Sequence, residues 1–167
     1  MIRQCDHDDF ERIKSVINES AGAYKGVIPD DCWKQPYISG EDLRDEINDG
    51  VQFWGYEEDG ELIGVIGFQY IQGAALIRHA YVRTSKRNHG IGGKLLSFLQ
   101  DQTTRPLLVG TWADAVWAVR FYEKHGFQVV SAQEKDRLLR KYWSIPDRQI
   151  ETSVVLADQK WLSSLRW

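Results

Sequence analysis

Two dipeptides, Asp59-Gly60 and Gln72-Gly73, cut the stretch from Val51 to Val82 into three runs of β-favouring residues: Val51 to Tyr56, Leu62 to Ile71 and Ala74 to Val82. Asp-Gly suits a type I′ turn, in which both central residues take positive φ and the backbone twist matches that of the flanking strands. Connections this tight leave each run little choice but to pair with the one before it. The reading is an antiparallel three-stranded meander in the middle of the chain.

The segments on either side carry helical period. Phe10, Ile13, Val16 and Ile17 line one face of a segment from Asp8 to Glu19, and Asp8, Asp9 and Glu11 stand early, where acids favour the positive helix end. A turn-rich stretch, Ala21 to Tyr37, follows with Tyr24, Trp33 and Tyr37. Ser39 and Asp42 then read as a capping pair opening a short helix with Leu43 and Ile47 inward. After the meander, Ile91, Leu95, Phe98 and Leu99 repeat at helical spacing behind a glycine-rich turn, and Pro106 ends that segment before a strand from Leu107 to Trp112. Strand, turn, helix and strand in this order make a βαβ-like crossover. A further helix from about Asp114 to His125 ends at Gly126, Phe127 to Val130 resumes extended structure, Glu134 to Tyr142 reads as a turn or short helix, and Ile150 to Leu156 as a last strand. The N-terminal Met1 to Asp6 is strand-like. The expected class is α+β in three layers, a mixed, mainly antiparallel sheet with helices on both faces.

The chain has 167 residues, enough for one domain with a sizeable core, and a single domain over 1–167 is expected. With 43% hydrophobic and 27% charged residues, 14 Gly and 4 Pro, it is neither collagen-like nor disordered. Its 21 basic and 24 acidic side chains leave a formal charge of -3, which supplies no bulk attraction to nucleic acid. No apolar run reaches the roughly 18 residues of a membrane-spanning helix, and no secretory signal opens the chain, so a soluble, cytoplasmic protein without a membrane partner is expected. Cys5 and Cys32 lack Cys-x-x-Cys spacing and read as reduced thiols. His7, His79, His89 and His125 form no ligand pair at helical or strand spacing, and no metal is expected.

The glycine-rich turn, Arg87-Asn88-His89-Gly90-Ile91-Gly92-Gly93-Lys94, is the most informative segment. Glycines let a ligand approach the backbone, and the free amides of the following helix start favour an anion, phosphate above all. Arg87 and Lys94 add local charge. A Walker A loop is excluded because Asn88 stands at the first glycine position and Leu95 at the hydroxyl position. A dinucleotide fingerprint is excluded because Leu95 replaces its third glycine and the preceding strands read as antiparallel. Arg87-x-x-Gly90-x-Gly92, five residues after the strand-ending Val82, resembles the pyrophosphate loop of the GCN5-related N-acetyltransferase (GNAT) family. That family's second signature is matched by Ala118 followed by Phe121-Tyr122-Glu123-Lys124-His125-Gly126-Phe127. The resemblance is specific from about Val51 to Val130 and schematic outside it.

The resemblance implies acetyl-coenzyme A as cosubstrate. It implies that the sheet splays between the strands Ala74 to Val82 and Leu107 to Trp112 to admit the pantetheine arm. Backbone groups of Ala80, Tyr81 and Val82 would bind that arm, and the loop Arg87, Asn88, His89, Gly90, Ile91, Gly92 and Gly93 would bind the pyrophosphate. Acetyl transfer needs a neutral amine, stabilisation of the oxyanion and a proton for the departing thiolate. Tyr122 matches the family's usual general acid, although by periodicity alone it reads as an interior aromatic beside Phe121. An amide near Val82 is the expected oxyanion donor. For the base, the strand Leu76 to Val82 offers no acid, and His79 is its only residue of a type that exchanges protons near neutrality. Strict alternation places His79 opposite Arg78 and Ala80, and a bulge reverses part of that pattern. A hydrogen-bonded structural histidine, a water chain and a carboxylate from elsewhere are the alternatives.

Gly110 stands where family members that acetylate protein N-termini resemble one another in a glutamate, and Ala115 replaces an asparagine common near the next helix. Both weigh against that acceptor. Tyr24, Trp33 and Tyr37 read either as walls of a small-amine pocket or as packing. No Gly-x-Ser-x-Gly or activated cysteine supports an acyl-enzyme, so direct transfer is expected. The leading reading is an N-acetyltransferase acting on a small primary amine such as an amino acid, polyamine, peptide or antibiotic. A protein lysine or N-terminal acceptor is one alternative and a non-catalytic acyl-coenzyme A sensor another. Sheet-edge or C-terminal-strand pairing gives a route to a homodimer.

Overall fold

A computed structural model describes residues 1–165. Seven strands are hydrogen-bonded in the order β1-β2-β3-β4-β5-β7-β6: β1 (Ile2–Gln4), β2 (Gln52–Glu58), β3 (Glu61–Ile71), β4 (Ala74–Val82), β5 (Leu107–Trp112), β6 (Gln128–Val129) and β7 (Ser153–Ala157). The helices are α1 (Phe10–Ala21), α2 (Gly40–Asn48), α3 (Ile91–Gln102), α4 (Val116–Lys124), α5 (Ala132–Tyr142), α6 (Asp147–Glu151) and α7 (Gln159–Ser164). Asp59, Gly60, Gln72 and Gly73 all take positive φ, as two-residue I′ turns require. The β1–β2, β2–β3, β5–β7 and β6–β7 pairs are antiparallel. At the start of β4, Ala75 N–H donates to Pro106 O at 2.8 Å, and β4 reaches β5 through α3, the kind of crossover parallel neighbours need. The sheet is therefore mixed.

The chain forms two compact units, Met1–Ala23 with Lys34–Tyr70 and Ile77–Thr104, and Tyr24–Trp33 with Ile71–Leu76 and the chain from Arg105 on. In the first, the two faces of β2 serve different helices. Phe53 packs in a buried cluster with Ile13, Val16 and Ile17 of α1 and Leu43 of α2, while its neighbour Trp54 meets Phe98 of α3 edge-on at 4.9 Å. In the second, Leu138, Leu139 and Tyr142 of α5 cover Leu108 of β5 and Val155 of β7.

Some local expectations shift. Leu43 is buried as expected, but Ile47 is 36% exposed and lines an open cavity of about 540 Å³ with Phe10 and Arg44. The stretch from Glu134 to Tyr142 belongs to a full helix, α5, capped by Ser131 Oγ, which accepts from Glu134 N–H at 3.1 Å. Its charged residues masked three apolar positions at helical spacing. Ile150 lies in α6, and β7 begins only at Ser153.

The acids before α1 do more than favour its dipole. Asp9 accepts both guanidinium nitrogens of Arg3 at 2.8 Å and Asp6 N–H at 3.0 Å, tying β1 to the helix start. The Arg3 contact pulls the Asp9 carboxyl down from 3.8 to about 2, against the opposing effect of burial. Because the folded value is the lower one, the stabilisation is full above 3.8 and is lost as pH falls through about 2. Asp9→Asn is expected to cost about 2 kcal/mol at neutral pH, by removing the buried charge that Arg3 grips with two nitrogens and leaving it only the longer contact to Glu57. Urea unfolding should show that gap closing as the pH is lowered toward 2. A gap that stays constant with pH would assign the cost to packing instead.

Candidate active site

The end of β4, the loop after it and the start of α3 form one continuous piece of the first unit. After Val82 the chain makes a short 3-10 turn, Thr84–Lys86, and then passes through left-handed backbone at Asn88 (φ 65°) and Gly90 (φ 74°) before α3 begins. Gly90 is the N-cap, and as glycine it enters the left-handed region without the clash a Cβ brings there. No side chain caps this helix. The first backbone bond into it is Lys94 N–H to Gly90 O at 3.0 Å, so the N–H groups of Gly90, Ile91, Gly92 and Gly93 have no intrahelical acceptor. A Cβ built on Gly90 would meet nothing within 4 Å, so the N-cap itself is open on that side, and Gly92 and Gly93 behind it are partly exposed. Open, aligned donors at the positive end of a helix fit the pyrophosphate of a coenzyme.

This piece is held from both sides. Ile91, Leu95, Leu96 and Leu99 bury the inner face of α3. Gly64 of β3 lets that helix come close, since a Cβ there would lie 3.1 Å from Ile91 Cγ2 and 3.2 Å from Leu95 Cδ1. The C-terminal turn of α1 holds the loop. Ser20 Oγ donates to Val82 O at 2.9 Å, the Glu19 carboxylate accepts from Thr84 N–H at 3.2 Å and from the Thr84 hydroxyl, and Arg87 Nη2 donates to Ser20 O at 3.1 Å. Arg87 therefore anchors the loop to the protein itself, and Lys94 Nζ lies over the Tyr56 ring at 5.7 Å. Glu19 and Ser20 carry no sequence signal for this role, being more than 60 residues from the loop they grip.

His79 lies on the same strand as Ala80, Tyr81 and Val82, with its side chain only 11% exposed. Its ring stacks on Phe53 at 6.0 Å and stands tilted to Tyr81 at 6.1 Å. Its Nε2 lies 3.0 and 3.1 Å from the two carboxylate oxygens of Glu46 on α2. Glu46 also accepts from Arg78 Nη2 at 3.1 Å, while Arg78 Nη1 donates to Gln69 Oε1 at 2.9 Å. Neighbouring side chains thus converge on one carboxylate where strict alternation sends them apart. Burial pushes the Glu46 carboxyl up, but His79 and Arg78 outweigh it, and the net shift is downward. Glu46 is the acid that reading β4 alone could not supply.

Tyr122 belongs to the second unit. Its helix ends in a Schellman motif: Gly126, at φ 91°, donates its N–H to Glu123 O at 3.1 Å, and Phe127 N–H donates to Tyr122 O at 3.1 Å. The Phe127 ring meets Tyr122 edge-on at 5.6 Å, and the Phe121 ring meets Tyr122 edge-on at 5.1 Å. The Phe-Tyr and Gly-Phe pairs are thus the parts of one helix stop. Burial, and secondarily Tyr24, raise the Tyr122 phenol well above its usual range, so it is neutral and able to donate at physiological pH. The aromatic stretch divides. Tyr37 packs on the cluster around Phe53, whereas Tyr24 and Trp33 pack on Ile28, Trp112 and Ala115, with Tyr24 stacked on the half-exposed Trp117 at 5.8 Å.

His89 is exposed on the loop, and His125 Nδ1 lies 2.8 Å from Phe121 O at the end of α4. Cys5 and Cys32 are both free, and burial pushes the Cys5 thiol up to about 12, far from a reactive thiolate. Among the described residues, no group of three or more His, Cys, Asp and Glu is placed to hold a metal ion, and no helix is long and apolar enough to cross a membrane.

Residues 14–140 match the acetyltransferase (GNAT) domain family. The peptidyl-lysine N-acetyltransferase YiaC of Escherichia coli is 25% identical over 145 residues, 86% of this chain and 93% of that protein. Among solved structures, the PaiA N-acetyltransferase from Thermoplasma acidophilum in complex with coenzyme A superposes with a TM-score of 0.67 at 21% identity, covering 95% of this chain and 97% of that one. The ribosomal-protein-S18-alanine N-acetyltransferase from Escherichia coli gives a TM-score of 0.67 at 14% identity, covering 95% and 92%. At these identities the structures establish a shared fold.

Proposed function

Because the chain belongs to the GNAT acetyltransferase family, and so is an acyltransferase that uses coenzyme A, we propose that it moves an acetyl group from acetyl-coenzyme A directly to a primary amine of a small molecule. The observation that carries the coenzyme part is the uncapped glycine-rich start of α3, whose first backbone donors have no intrahelical acceptor. In this reading the amides from Asn88 to Gly93 hold the pyrophosphate, and the backbone of Ala80, Tyr81 and Val82 aligns the pantetheine arm. Val82 O is already taken by Ser20, so the strand's remaining backbone groups carry that task. Acetyl-coenzyme A supplies an activated thioester. The amine nitrogen adds to its carbonyl carbon, the carbon–sulfur bond breaks, and the thiolate takes a proton. Tyr122, neutral and buried, is the proposed proton donor, and His79 is the proposed base for the incoming ammonium.

A second reading, transfer to a lysine side chain of a protein, is favoured by the likeness to YiaC over most of both chains. Both acceptors present a primary amine, and the reaction at nitrogen is the same. A thiol-release assay with acetyl-coenzyme A against amino acids, polyamines, aminoglycosides and lysine peptides separates them, run beside calorimetric binding of the coenzyme. Turnover on a free amine is the expected result. Turnover on lysine peptides alone moves the acceptor to protein. Coenzyme binding without any turnover points to a sensor, and absence of binding removes the phosphate-loop reading.

A further inference from the structure

Where α1 begins and α2 ends, the first unit keeps an open cleft of about 540 Å³. Two changes of direction in the chain create it. β1 is three residues long, and the capping box of Asp6 and Asp9 turns the chain off the sheet into the 3-10 turn His7–Asp9, so the β1–β2 ladder stops at Gln4 opposite Trp54. α2 stops at Asn48, and Gly50, at φ 111°, leads into β2. The floor left between them is apolar: Ile13, Val51 and Phe53 are nearly fully buried, α1 adds Phe10, and α2 adds Ile47, which is 36% exposed. Burial holds the Cys5 thiol protonated, so it adds surface without charge.

Arg44, the one basic residue of α2, stands at this cleft. Acids flank it on the helix, yet among the described residues it pairs with no carboxylate, and its Cζ lies over the Phe10 ring at 5.0 Å from the centroid. A guanidinium laid on a ring engages its face and keeps the N–H donors, which lie in its plane, for an acceptor. The other charged groups of the lining are engaged. Asp6 accepts from Asp8 N–H at 2.9 Å, and His7 Nε2 lies 3.3 Å from Asp8. The remaining polar side chains, Gln4, Asn48 and Gln52, are neutral amides. The unanswered charge is therefore positive, and it stands beside apolar surface.

We propose that this cleft is a second small-molecule site, one that takes an organic carboxylate with a compact apolar body: the body rests against Phe10, Ile47 and Phe53, and the carboxylate meets the in-plane donors of Arg44. A neutral apolar molecule leaves the guanidinium unanswered, and a purely polar anion leaves the apolar floor in water. A molecule with both parts serves both, and the volume is in the range of small-molecule sites. Arg and carboxylate pair with two parallel hydrogen bonds, which fixes the orientation of the bound molecule. The site is separate from the glycine-rich loop. Phe10 stands in the first turn of α1, while Ser20, which receives Arg87 of that loop, stands in the last, about 15 Å further along the helix axis. Binding here is therefore independent of the acetyl-transfer reading above.

The test uses the whole chain and four probes, phenylacetate, phenylpropionate, indoleacetate and octanoate, each beside its uncharged amide. Calorimetry gives the affinity, and NMR of labelled isoleucine methyls reports from Ile13 and Ile47. At least one carboxylate should bind with a Kd of about 1 mM or tighter, a level in keeping with molecules of roughly ten to fifteen non-hydrogen atoms. It should move both methyl signals and raise the melting temperature as it saturates. Its amide should bind at least about 5-fold more weakly. Arg44→Gln should erase that preference and leave the amide's own affinity as it was, while Ile47→Ser, at a half-exposed position, should weaken acid and amide alike. Thermal unfolding shows both variants folded, and saturating coenzyme A should leave the Kd of the carboxylate unchanged. The proposal is overturned if no probe moves the methyl signals at about 10 mM, if acid and amide bind equally to the wild type, or if the preference for the acid survives in folded Arg44→Gln. Competition with coenzyme A overturns it as well, because it assigns the probes to the coenzyme's own site.

Discussion

Gly92→Asp is expected to weaken acetyl-coenzyme A binding by at least about 100-fold while leaving the fold as stable as before or slightly more so. Gly92 lies in the first turn of α3, where no side chain serves the free amides. A carboxylate there answers the helix dipole and competes for those N–H groups, which favours the folded state by a few tenths of a kcal/mol. The same carboxylate stands against the pyrophosphate. Two like charges about 4 Å apart at an effective dielectric near 20 repel by roughly 4 kcal/mol, and screening leaves about 3 kcal/mol, or 100-fold in Kd. Gly92→Ala separates bulk from charge, because Gly92 does not hold positive φ and alanine is the better helix former. Calorimetry on both variants, beside thermal unfolding, tests the assignment. Unchanged affinity in Gly92→Asp would place the coenzyme's phosphates away from this helix start.

Tyr122→Phe is expected to lower kcat about 100-fold with little change in coenzyme Kd, the range of a lost proton donor. Phenylalanine preserves the ring contacts with Phe121 and Phe127 and the Schellman hydrogen bonds, all of which use the ring or the backbone. Stability should therefore change by less than about 1 kcal/mol at neutral pH. The linkage has a definite sign. Burial raises the folded phenol above its unfolded value, so the stability it contributes is complete below about pH 10 and is lost as the pH climbs beyond. Wild type and Tyr122→Phe should accordingly diverge in alkaline unfolding, with the wild type losing more. Single-turnover measurement of acetyl transfer isolates the chemical step. If that rate is the same in both proteins, Tyr122 is only the aromatic half of a helix stop.

The parts of this protein legible in its sequence are those written in local chemistry. Asp59-Gly60 and Gln72-Gly73 took left-handed backbone, which set β2 against β3 with one register shift at Tyr56 and Glu57 and made β4 the next neighbour of β3. Gly90 and Gly92 before an amphipathic run announced an uncapped helix start, and His125-Gly126-Phe127 announced the end of α4. The longer-range expectations fared differently. Ile47 has the spacing of an inward residue, yet α2 is short and Leu43 alone reaches the core, so Ile47 was left facing an open cavity. The charged face of α5 concealed Leu138, Leu139 and Tyr142, whose burial depends on strands that come both before and after them in the chain.

What the sequence by itself determined was the order of elements as far as β6, the turns, and the glycine-rich loop before α3, because each depends on the φ preferences and hydrogen-bonding needs of residues within a few positions of one another. Only the tertiary structure decided who holds that loop and who holds His79. Glu19 and Ser20 meet the loop across more than 60 residues, and Glu46 meets His79 across 33. A single carboxylate half-buried on a short, charged helix has no periodicity to mark it. Its pairing with an imidazole is set by where α2 packs on β2, and that position comes from the apolar side of the helix, from Leu43 against Phe53.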